Sequence, residues 1–105
     1  MGMMFRVARV NIDPAKRASV LAEYAKYVEA VQQDSGVLAW ELCTEADADD
    51  VIWILAKFAD ESAHKDHLSL PETQAVVPVL QDALVGAPTF SELIPQFSVS
   101  RQAGA

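Results

Sequence analysis

One cysteine, four glycines and two histidines in 105 residues each exclude a class of protein. A lone thiol, Cys43, permits neither an intrachain disulfide nor a thiolate zinc cluster. So few glycines build no Gly-rich phosphate-cradling loop. Cations are scarce too: eight Lys and Arg stand against fifteen Asp and Glu, for a net charge of −7. Such scattered cations form no basic patch, so no nucleic acid is expected as a partner. No apolar run approaches the roughly 20 residues that span a bilayer, so no membrane partner is expected either. The opening MGMMFRVARV lacks an apolar core followed by a small-residue cleavage site. The expectation is one acidic, cytoplasmic domain spanning residues 1–105.

What is present is apolar patterning, with 51% hydrophobic residues. A chain of this size buries about 65% of its extended-chain surface, enough for one modest core. Met3 to Ile12 is rich in Val, Phe and Ile, which suits a strand. Asp13-Pro14 then starts a helix, with Asp13 as N-cap and Pro14 at the first helical position. From Ala15 to Gln33, Val20, Leu21, Tyr24, Ala25, Tyr27, Val28 and Val31 recur at three and four, giving one apolar face. Asp34-Ser35-Gly36 stops this helix, with Gly36 expected as a left-handed C-cap. Val37 to Thr44 and Val51 to Phe58 read as strands joined by the acidic hairpin loop Glu45 to Asp50. A second helical region starts near Asp60 and runs through His67. It breaks at Ser69-Leu70-Pro71 and resumes from Glu72 to about Val85, where Gly86 closes it. Pro78 is expected to kink or shorten that helix. Phe90 to Val99 forms the last strand, interrupted by Pro95. The order β-α-β-β-α-β predicts an α+β, ferredoxin-like fold with a four-stranded antiparallel sheet.

The strand Val51 to Phe58 carries a further message, because only Lys57 in it is polar. A sheet with one wet face alternates apolar and polar residues. Here Ile52, Ile54, Ala56 and Phe58 form one apolar face, and Val51, Trp53 and Leu55 form another. Helices can cover only the first, so a homodimer packed sheet to sheet is expected.

Val-Ala-Arg-Val-Asn-Ile-Asp-Pro-Ala-Lys (7–16), Gly-Val-Leu-Ala-Trp-Glu-Leu (36–42) and Ala-Asp-Glu-Ser-Ala-His-Lys-Asp-His-Leu (59–68) resemble the antibiotic biosynthesis monooxygenase domain. That family consists of small ferredoxin-like subunits that dimerise into an α/β barrel. The resemblance runs from about Phe5 to the last strand. It implies oxidation of a small aromatic or quinol-like molecule with no cofactor, neither metal nor flavin. His67 matches the family's recurring histidine and becomes the candidate catalytic base, and Trp40 falls where an aromatic is usual. Where family members often carry Glu-Arg-Trp, this chain has Ala56, Lys57 and Phe58; where Ser-Pro-His-Phe is common, it has Leu70-Pro71-Glu72-Thr73. These departures favour an alternative, a non-catalytic ligand-binding or stress-associated dimer on the same scaffold. A haem-degrading or isomerase relative is a third reading. For haem degradation the resemblance would call for asparagine and tryptophan where Val7 and Phe58 stand.

His64 and His67 lie three apart on one predicted helix, with Asp60 a turn earlier. A metal site from these alone lacks sulfur and further histidines, so none is expected. His67 by itself suits a proton shuttle, since an ordinary imidazole titrates near pH 6.5; packing against the sheet is its structural alternative. His64 is expected to face solvent. Val7, Trp40, Ile54, Ala56 and Phe58 are the candidate substrate-binding walls, with Tyr24 and Tyr27 as further aromatic candidates. Core packing is the competing role for all the rings, and dimer packing for Trp53. Arg6 and Arg9 are expected to snorkel or to pair with a carboxylate such as Glu41. Cys43 reads as an inert thiol, and Asp47 to Asp50 as a solvated turn.

Overall fold

Asp13 caps a short 3-10 turn before the first helix proper. In the computed structural model, which describes residues 2–99 and 101, its Oδ1 accepts the Ala15 N–H at 3.0 Å. Pro14–Lys16 form the turn, and α1 spans Arg17–Val31. The other elements are β1 (Met4–Asn11), β2 (Val37–Thr44), β3 (Val51–Phe58), α2 (Glu61–Leu68), α3 (Pro71–Ala83) and β4 (Thr89–Leu93). The strands pair antiparallel in the order β2-β3-β1-β4, the ferredoxin-like arrangement expected.

Helix α1 buries Val20, Tyr24, Tyr27 and Val31, a stripe spaced four, three and four. That stripe packs with Val10 and Ile52 of the sheet, Ile12 just past β1, and Val76 and Ala83 of α3. Fully burying a side chain such as Ile12 or Ile52 contributes about 1.5–3 kcal/mol. Asp60 caps α2 by accepting the Ala63 N–H at 2.8 Å, and Pro71 opens α3. Thr73 Oγ1 donates to the His67 carbonyl at 2.8 Å, tying the end of α2 to the start of α3.

Helix α3 contains Pro78 and ends at Ala83, two residues short of Val85; the carbonyl left unpaired by the proline belongs to exposed Gln74, where water can satisfy it. Two local expectations need correction. Strand β4 covers Thr89–Leu93 and does not continue to Val99. Its last partner pair is Leu93 with Phe5, one residue from the start of β1, and Pro95 offers no N–H to extend the ladder. Gly36 is not a left-handed cap, since among the described residues the glycine with positive φ is Gly86, at 78°. Gly36 instead admits close approach: a Cβ there would stand 2.8 Å from Ala63 Cβ of α2. Gly36→Ala should therefore destabilise the protein by about 1–3 kcal/mol, and pairing it with Ala63→Gly should recover much of that loss. Urea unfolding of the two single variants and the double variant checks both expectations.

On the side of the sheet away from the helices, the register places Phe5 beside Leu93, Val7 beside Leu55 and Arg9 beside Trp53. Two cations of this same face lie over its rings. The Arg9 guanidinium is 5.7 Å from the Trp53 ring centre, and Lys57 Nζ is 5.0 Å from that of Phe5. Trp53 Nε1 donates to Glu45 Oε1 at 2.8 Å, and Arg9 lies 3.8 Å from the same oxygen. Beyond β4, Ile94, Phe97 and Val99 are exposed, Phe97 almost completely at 97%. No helix among the described residues is long and apolar enough to cross a membrane.

Candidate functional site

A cavity of about 410 Å3 opens on the helix side of the sheet. Its floor comes from inward positions of the two central strands: Ala8 of β1 pairs with Ile54 of β3, and Arg6 pairs with Ala56. Helices supply the rest, with Tyr24 and Tyr27 from α1, His64 and His67 from α2, and Val76 and Leu80 from α3. Trp40 of β2 stacks on Tyr24, ring centres 5.8 Å apart, and meets Tyr27 edge-on at 5.4 Å. Phe58 lies under both histidines, 4.8 Å from the His64 ring and 5.1 Å from that of His67. An aromatic-lined, mostly apolar hollow of this size suits a flat small molecule.

His67 is only 4% exposed. The Tyr27 hydroxyl hydrogen-bonds its Nε2. Its Nδ1 lies 3.4 Å from Asp34 Oδ2, too poorly aligned for a hydrogen bond and with no other partner among the described residues. An ionised carboxylate only accepts, so the ring proton is assigned to Nδ1, and Nε2 accepts the Tyr27 O–H. Burial lowers the His67 pKa from its ordinary value, and Asp34 offsets part of that shift. Burial likewise holds the Tyr27 hydroxyl above its ordinary value. An imidazole whose Nε2 accepts from a phenol can take up a proton relayed from the cavity through the Tyr27 oxygen, with the Asp34 carboxylate near its Nδ1 to offset the charge gained.

His64 does not face solvent, contrary to expectation; it is half-buried and lines the cavity. Three residues along a helix keep two side chains on one face, and that face of α2 meets Phe58. Its pKa is also lowered, by burial first and then by Arg6 and His67, with Glu92 and Glu61 pulling the other way. Both folded-state values therefore lie below the ordinary 6.5. The unfolded chain takes up protons more readily, so this stability is fully present above about pH 6.5 and is lost as pH falls below it. Urea midpoints should decline between about pH 7 and about pH 5.5, and His64→Gln should flatten part of that decline.

All five candidate wall residues, Val7, Trp40, Ile54, Ala56 and Phe58, line the cavity. Val7 differs from the others in parity. Its partner is Leu55, so its side chain belongs to the opposite sheet face, between inward-facing Arg6 and Ala8. Asp60 is occupied as the α2 cap, and no group of three His, Cys, Asp or Glu among the described residues is placed to hold a metal. Glu41 stands opposite Leu55 and pairs with neither arginine. Cys43 is half-buried, with Glu41 Oε2 4.0 Å from its sulfur. Two site residues escaped the sequence reasoning. Asp34 read only as a helix stop, and Arg6 as a strand residue that snorkels or pairs with a carboxylate such as Glu41. For Arg6 a signal existed, since the alternation that turns Val10 inward also turns Ala8 and Arg6 inward.

Comparison with known proteins agrees with this architecture. The family model for antibiotic biosynthesis monooxygenase matches residues 3–79, more than half of the chain. No curated protein matches it significantly. Among solved structures, a Caulobacter crescentus protein provisionally described as an antibiotic biosynthesis monooxygenase is 25% identical. It superposes with a TM-score of 0.82 over 88% of both chains. A Bacteroides thetaiotaomicron protein of the same provisional description gives 0.87 at 22% identity over 96% of each chain. A Mycobacterium tuberculosis protein gives 0.85 at 16% identity, covering 94% of this chain and 100% of its own. The latter two show likeness of fold alone, and their coverage extends past the end of the family match. The chain belongs to the antibiotic biosynthesis monooxygenase family.

Proposed function

We propose that the protein is a cofactor-independent monooxygenase of an aromatic or quinol-type small molecule. The observation that carries this is the buried His67 imidazole bonded to Tyr27 within an aromatic-lined apolar cavity. In such chemistry the deprotonated substrate itself donates electrons to O2, so the protein supplies a dry pocket and a base. The Tyr27 oxygen accepts the acidic substrate proton while its own proton passes to His67 Nε2, and Asp34 steadies the resulting imidazolium. For an anthrone-type methylene, one oxygen atom of O2 becomes the new carbonyl. The other leaves as water with the two substrate hydrogens. Ile54, Ala56, Phe58 and Trp40 hold the ring system flat.

Measuring O2 consumption over a panel of hydroquinones and anthrones tests the proposal. At least one should be consumed faster than in the enzyme-free control, and rates equal to the control throughout would overturn it. Ala56 and Phe58 contribute neither a carboxylate nor an indole to the cavity, which favours a second reading as a ligand-binding protein without turnover. Stabilisation by ligand in a thermal-shift assay with no O2 consumption would establish that alternative.

The same proposal includes a homodimer. Phe5, Val7, Trp53 and Leu55 present rings and branched chains on the sheet face that no helix covers, and exposed Ile94, Phe97 and Val99 follow its edge strand.

A further inference from the structure

Arg6 is the cation lining an otherwise mainly apolar cavity, and no carboxylate among the described residues lies within ion-pair distance of it. It sits inward on β1, across from Ala56 on one side and Glu92 on the other, and His64 lines the cavity beside it. The influence of Arg6 on the His64 titration reflects that proximity. A half-buried guanidinium without a partner is poorly solvated, and its planar fork of donors matches a carboxylate or similar oxyanion. His64 is neutral at physiological pH and adds a hydrogen bond without competing for the anion. The second polar group, Tyr27 with His67, lies one turn along α2 from His64, over the same Phe58 ring. The polar lining thus includes a Tyr27–His67 pair and, next to it, Arg6 with His64, besides Thr73 and Gln81.

We infer that the cavity takes an aromatic molecule bearing an anionic substituent, which Arg6 binds with His64 beside it. This refines the proposed monooxygenase by giving its substrate class as an aromatic acid, and it rests on that proposal for the chemistry but not for the binding. Glu92, opposite Arg6, opposes the anion, so its removal should tighten binding.

Calorimetric titration with 2-naphthoate and its neutral isostere 2-naphthamide tests the inference. The carboxylate should bind at least about tenfold more tightly, the worth of a charge-assisted hydrogen bond. Arg6→Gln should remove that preference while leaving 2-naphthamide binding intact, and Glu92→Gln should enlarge it. Arg6→Lys keeps the charge without the fork and should retain part of the preference. Thermal melts establish that each variant is folded. Equal affinity for the two probes, binding of neither, or a preference that survives Arg6→Gln would each overturn the inference. Because binding alone is read, a protein that prefers the anion yet consumes no O2 would refute the monooxygenase and leave the anion subsite standing.

Discussion

His67→Ala is expected to lower turnover by about 10²–10⁴-fold, the usual worth of a positioned acid–base group. The comparison uses whichever quinol or anthrone the protein consumes, followed by O2 uptake. The same substitution should also destabilise the fold by about 1–3 kcal/mol, because it leaves the buried Tyr27 hydroxyl without a partner. Activity and stability therefore fall together in this variant, and a second one is needed to separate them. Tyr27→Phe keeps the ring that packs edge-on against Trp40 and Tyr24 and removes only the oxygen. If the substrate proton reaches His67 through that oxygen, Tyr27→Phe should lose activity to a similar degree at a smaller cost in stability. Full activity in Tyr27→Phe would show that the proton takes another route. Unchanged activity in His67→Ala, measured below its melting temperature, would remove the base altogether.

Leu55→Glu is expected to convert the proposed dimer to a monomer at micromolar concentration. Light scattering should give about twice the chain mass for the unsubstituted protein and the single-chain mass for the variant. Leu55 sits at the centre of the uncovered sheet face, between Val7 of β1 and Glu41 of β2. In an isologous interface the substitution appears twice, each time placing a second carboxylate beside Glu41. An unpaired charge buried in an apolar interface costs about 3–5 kcal/mol, enough to raise a dissociation constant by two orders of magnitude or more. Within one chain, Leu55 is only half-buried, so far-UV dichroism should remain that of a folded protein. Trp53→Glu should act in the same direction, with the added loss of the stacking with Arg9 and the bond to Glu45. A single-chain mass for the unsubstituted protein would end the dimer proposal, and the cations over Trp53 and Phe5 would then stand as the covering of that face.

The element order was legible in the residues because each signal acts over a few positions. The 3.6-residue spacing of Val20, Tyr24, Tyr27 and Val31 marks a helix wherever it occurs, and the acidic loop between two β-rich segments marks a hairpin. The ring residues were legible as candidates from their types, and His67 only through the family resemblance. Register, by contrast, is a relation between distant segments. Only the pairing of Phe5 with Leu93 decided that β4 stops there and leaves Ile94 to Val99 unpaired by β1. Only the approach of α2 to the turn after α1 decided that Gly36 is small to clear Ala63, when the local pattern suggested a cap. Tertiary packing also turned His64 inward and brought Asp34, thirty-three residues before His67, to its Nδ1. Composition and periodicity thus determined which elements form, and the family resemblance added which histidine could carry chemistry. Which side chains share one cavity, and which ring nitrogen is already engaged, was decided by contacts between segments far apart in the chain.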